Sequence, residues 1–222
     1  MKLTILLIMA VLVACFDYWA IQNRGDPRFC RDDLISAVKP RGWKQIAYFV
    51  AVPVALIGFA LFSQKFYHAE FNFTMKRILV IGLLWPVAVS DYREFRIPNK
   101  LILTGLVVRA VCLLPEAFMD GMGMLGALID GVVAAIAMVV LCVVCMLISR
   151  GSMGMGDLKL LAVMGLYLGF EGMLYALFFS MLVAFISAVY LLLAKKKDRK
   201  DAIPFAPYIL LGTITSLILS GT

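Results

Sequence analysis

Histidine is almost missing from this chain: the single one, His68, stands in a connector between apolar runs. Without it there is no H-E-x-x-H zinc motif and no imidazole base for a serine or cysteine nucleophile. A Ser152/Lys159 pair is the one serine arrangement left. Cysteines are few and badly placed for metal or disulfide work. Cys15, Cys112, Cys142 and Cys145 sit in apolar runs and only Cys30 is in a polar stretch, which excludes both an oxidised framework and a four-ligand zinc site. Cys142 and Cys145 form a C-x-x-C, but among Val, Leu and Met they read as small apolar packing residues. Charge is scarce as well, at 16% of 222 residues, against about 25% in soluble domains.

What the chain has instead is 63% hydrophobic residues and a mean hydropathy of +0.96. That composition specifies an all-α polytopic membrane protein with no room for a separate soluble catalytic domain. The net charge of +7 is scattered between apolar runs, which points to basic loops and contact with membrane lipid, and away from nucleic acid. Apolar runs fall at about 3–22, 45–63, 78–90, 101–115, 125–148, 158–170, 172–194 and 203–220, giving about eight transmembrane helices. Gly169 to Gly172, around Glu171, marks the turn between the sixth and seventh. The first run lacks a small-residue cleavage pattern and reads as a retained span. If the first connector is cytoplasmic, alternate loops on that side hold sixteen of the twenty-one Lys and Arg residues, so the N-terminus and the C-terminus are expected on the non-cytoplasmic side. His68 then faces outward. Residues 1–74 form two N-terminal helices with a basic cytoplasmic loop at 22–44, and 75–222 form a six-helix unit.

Acidic side chains within spans are costly and mark functional candidates. Asp17 lies near the cytoplasmic end of the first span among Phe16, Tyr18 and Trp19, where it can reach water. Asp130 and Arg109 lie at equal depth on consecutive antiparallel spans, and the economical reading is a structural ion pair. Asp91 and Asp157 differ, because each ends an apolar run of only 13 residues, Ile78–Ser90 and Leu158–Phe170. A span of about 20 residues must draw both carboxylates into the inner leaflet. Gly151, Gly154 and Gly156 give the backbone freedom for a tight re-entry, and Pro86 can bend the helix ahead of Asp91. Two neighbouring carboxylates cannot both ionise and so share a proton; one can then activate water while the other polarises a carbonyl. No metal and no cofactor are needed. The alternative is a proton- or ion-coupled membrane transporter, against which stands the lack of corresponding repeated halves.

The stretch Asp91-Tyr92-Arg93-Glu94-Phe95-Arg96-Ile97-Pro98-Asn99-Lys100, followed by Gly154-Met155-Gly156-Asp157-Leu158-Lys159-Leu160, resembles the paired signatures of type IV prepilin peptidases, membrane aspartic proteases of the G-x-G-D type. Ile203-Pro204-Phe205-Ala206-Pro207-Tyr208 is similar to the proline-rich start of their last span. The resemblance implies that residues 75–222 are the catalytic domain and that Asp91 and Asp157 are the catalytic dyad. It further implies removal of a basic leader from a prepilin or pseudopilin substrate at the cytoplasmic face of the bacterial inner membrane. Arg96, Pro98, Asn99, Gly154, Gly156 and Lys159 are then supporting residues: Pro98 and Asn99 as turn and cap, the glycines for close approach, Lys159 as an interfacial anchor. Full-length bacterial members also carry paired C-x-x-C zinc motifs in the first cytoplasmic loop and N-methylate the product. Here that loop holds only Cys30, so the chain looks like the short, peptidase-only form. Asp26, Asp32 and Asp33 in the same loop read as a solvated charged surface.

Overall fold

A computed structural model describes residues 12–13, 58, 71–119, 121–148, 154–193 and 204–219. Apart from residues 12–13 and 58, the first two expected spans lie outside the described residues, as do the loop at 22–44, Asp17, Cys30, His68 and Ser152. Among those described, the elements are all helices: α1 (Phe71–Glu94), α2 (Asn99–Met119), α3 (Gly121–Ile148), α4 (Met155–Leu193) and α5 (Ala206–Leu219). The chain divides into two compact units, Met1–Pro86 and Val87–Thr222.

In the first unit, α1 is largely buried from Thr74 onward. Met75, Ile78, Val80, Leu83 and Leu84 are core residues, and Thr74 and Arg77 are buried with them. Gly82 packs against Val13, whose methyl occupies the space a side chain would need.

In the second unit, α1 ends on Phe95, which adopts a left-handed φ of 50° while its N–H donates to the Asp91 carbonyl at 2.9 Å. This is a helix-terminating bend made without glycine, at a cost of about 1–2 kcal/mol. Proline then sets the next start: the Pro98 carbonyl accepts from Leu101 N–H at 3.1 Å as α2 begins. Among the described residues, three helices can cross a membrane by length and composition, within Asn99–Phe118, Gly123–Ile148 and Met155–Leu193. They carry their apolar side chains outward: Leu103, Val107, Val133, Ile136, Val140, Phe178 and Phe185 are all exposed, as expected where the surrounding solvent is lipid.

Helix α4 has 39 residues, about 58 Å if straight and far longer than a bilayer core of about 30 Å. It is broken at Gly169, where φ is 74° and ψ is −178°. That combination is open essentially to glycine alone. Contacts show that the chain doubles back there. On a straight helix Ser180 would stand about 35 Å from Asp157. Instead, Ser180 Oγ donates to the Ile209 carbonyl at 3.4 Å, one turn beyond Ala206, whose N–H reaches Asp91. Asp91 in turn is within electrostatic range of Asp157. The break lies at the first residue of the segment Gly169 to Gly172, where the sequence marks a turn. Before the break, α4 runs against α3 so closely that a Cβ on Gly165 would lie 2.9 Å from Ala135 N.

Candidate active site

Three helix ends form the site: the last turns of α1, the first turn of α4 and the first turn of α5. Asp91 is buried, 6% exposed, near the end of α1. Its Oδ2 accepts the Ala206 N–H at 2.8 Å, and the Phe205 amide lies beside it. The first N–H groups of a helix have no partner within it, so the start of α5 offers free donors to a carboxylate. Pro204 and Pro207 bracket that start, and the Phe205 carbonyl closes its first turn with Tyr208 and Ile209 N–H at 3.0 and 3.1 Å.

Asp157 lies in the first turn of α4, where its N–H donates to the Gly154 carbonyl at 3.1 Å. Asp91 and Asp157 interact electrostatically. Among the described residues no cation pairs with either. Cys142 of α3, 2% exposed, also lies within electrostatic range of Asp157. In the sequence that thiol reads as a packing residue, because its neighbour on another helix leaves no mark there.

The two motifs touch at two further points. Gly156 lies against Ile97, so near that a Cβ would come within 3.0 Å of the Ile97 Cβ. Lys159 Nζ donates to Asn99 Oδ1 at 3.0 Å. Lys159 was expected to be an interfacial anchor and Asn99 a cap; the structure joins them. Pro98 does precede the helix as a turn, Gly154 lies beside the Asp157 carboxylate, and Arg96 is exposed in the connector between α1 and α2. Ile97 and the Ala206 amide were missed. A large side chain opposite a glycine leaves no sequence mark, and a backbone donor is silent by nature.

The expected Arg109–Asp130 ion pair is not what the structure contains. Arg109 pairs with Glu116, NH1 to Oε1 at 2.9 Å, both side chains being nearly inaccessible. Its Nε donates to the Leu166 carbonyl at 2.8 Å and its guanidinium lies 5.9 Å from the Tyr167 ring centroid. Asp130 Oδ2 instead accepts the Phe170 N–H at 3.1 Å. The physical reason is proximity: Glu116 is two turns along the same face of α2, whereas Asp130 faces the break in α4. Tyr167 OH donates to the Gly105 carbonyl at 2.6 Å, a third tie between α2 and the first half of α4.

The sequence profile of the type IV leader peptidase family matches residues 78–189, a stretch that contains both motifs and the whole of α2 and α3. The chain belongs to this family. A prepilin leader peptidase/N-methyltransferase of Bacillus subtilis (strain 168) is 30% identical over 141 residues, 64% of this chain and 54% of that protein. Proteins of the same description from Xanthomonas campestris pv. campestris and Aeromonas salmonicida are 41% identical over 63 residues and 34% over 73. These matches cover 28% and 33% of this chain, and 22% and 25% of the two relatives. The chain thus spans about half the length of the Bacillus peptidase it matches, and a quarter or less of the other two. No solved structure matches it.

Proposed function

We propose that this protein is a membrane aspartic endopeptidase that removes the basic leader from prepilin-like proteins, with Asp91 and Asp157 as its dyad. One observation carries the reading: in a leader peptidase family member, two carboxylates from separate helices interact with each other and have no cation partner among the described residues. Like charges in a poorly solvated place share a proton. The ionised carboxylate takes a proton from water as its oxygen attacks the scissile carbonyl; the protonated one hydrogen-bonds the carbonyl oxygen and stabilises the charge forming there. Collapse of the tetrahedral intermediate breaks the C–N bond, and the leaving amine takes up the proton. Ala206 N–H fixes the Asp91 carboxylate through Oδ2.

The reading extends to six crossings from α1 onward, counting the two halves of α4 separately, and to eight in the whole chain. The dyad is then at the cytoplasmic face of the inner membrane. Arg93, Arg96, Lys100 and Lys159, at the dyad's end of the helices, agree with that side. No zinc or methyl donor enters this chemistry. Family membership gives the transporter alternative no support. The test is co-expression of the full chain with a candidate prepilin, followed by intact-mass analysis of the substrate. Leader loss without an added methyl group is expected; an unprocessed substrate in the presence of inserted enzyme would refute the proposal.

A further inference from the structure

An unbroken α-helix pairs each N–H with the carbonyl four residues before it, so Phe170 N–H belongs to Leu166 C=O. The torsions of Gly169 carry Phe170 away from that partner. Both groups are nevertheless satisfied, one by each of two charged side chains from other helices: Leu166 C=O receives Arg109 Nε from α2 at 2.8 Å, and Phe170 N–H reaches Asp130 Oδ2 on α3 at 3.1 Å. We infer that Arg109 and Asp130 splint the helix break at Gly169, each replacing one half of the hydrogen bond lost there, and so act as positioning residues for the short helix that carries Asp157.

The surroundings agree. A free N–H or carbonyl exposed to hydrocarbon is costly, so a reversal at this depth needs substitute partners. A Cβ on Gly169 would run into Asp130 Oδ2, so the glycine makes room for the carboxylate as well as supplying the torsion. Glu116 neutralises the guanidinium without taking its Nε, which leaves that donor for the carbonyl. Arg109, Tyr167 and Lys159 together tie the first half of α4 to α2 from the break down to the Asp157 turn. The splint goes beyond the proposed peptidase function and would hold the reversal whatever the substrate. It also accounts for two intramembrane charges at equal depth that do not pair with each other.

The test is amide hydrogen exchange over residues 166–172 in the full chain, inserted in lipid nanodiscs and measured without substrate, so a failed cleavage assay does not touch it. Asp130→Asn keeps the acceptor and should exchange like the unaltered protein. Asp130→Leu removes it and should exchange about tenfold faster or more. The Arg109→Asp/Asp130→Arg swap, which keeps both charges but exchanges their places, should not rescue protection, because neither end of the break then has its partner. The idea is overturned if Asp130→Leu leaves exchange unchanged, if Asp130→Asn is as fast as Asp130→Leu, or if the swap restores protection. Should the leucine and swap variants fail to insert, Asp130→Asn decides alone: a splint needs only the acceptor, whereas an ion pair loses its charge and must loosen.

Discussion

Charged side chains from several helices gather at both ends of the first half of α4, and the two ends are handled in opposite ways. At the Gly169 end, Arg109, Glu116 and Asp130 are charged, yet each has a partner: Glu116 for Arg109, the Leu166 carbonyl for its second donor, the Phe170 amide for Asp130. At the other end Asp157 and Asp91 face each other's charge, and the hydrogen bonds they receive come from backbone amides. Charges that hold a membrane fold together are neutralised or spent on the backbone. Among the described residues this carboxylate pair has no cation, an expense that stability does not explain and on which the proposed chemistry rests.

That contrast breaks or sharpens under substitution. The largest effect should come from the unpaired end: Asp91→Asn and Asp157→Asn should each reduce leader cleavage by about a thousandfold or more, with thermal unfolding of the detergent-solubilised protein unchanged or shifted upward. At the paired end the ranking should invert. Arg109→Met breaks a buried ion pair and should cost about 3–5 kcal/mol of stability, read by thermal or denaturant unfolding, while Arg109→Met combined with Glu116→Met should recover much of the loss. Between the ends, Gly156→Ala pushes Ile97 away from the Asp157 turn. Cleavage should fall several-fold with less than about 1.5 kcal/mol lost, and adding Ile97→Ala should restore it. The smallest effect belongs to Lys159→Met. Its bond to Asn99 is exposed, and exposed polar contacts contribute about 0–1 kcal/mol.

Hydropathy located the helices from α1 onward because a bilayer imposes run lengths that few other environments do. It placed their ends less well. α2 reaches Met119 and α3 begins at Gly121, although the apolar runs stop near 115 and resume near 125. Backbone groups near a membrane surface still gain from helical pairing when the side chains turn polar. α1 begins at Phe71, ahead of its apolar run, and takes Arg77 into its buried face. The dyad candidates were legible as two carboxylates on runs too short to span. Glu116 falls just beyond the apolar run that ends at 115, although its spacing of seven from Arg109 places it on the same helix face. The role of Asp130 could not be read at all: its partner is a backbone N–H that becomes free only once Gly169 takes up its unusual torsions.

The most direct measurement is a cleavage assay in liposomes, with a synthetic leader-bearing peptide and product N-termini scored by mass spectrometry, for the unaltered chain and each single Asp→Asn variant. Joint action of the two aspartates predicts cleavage by the unaltered protein and none above background for Asp91→Asn or Asp157→Asn. Substantial cleavage by either variant, at the same peptide bond, would contradict it.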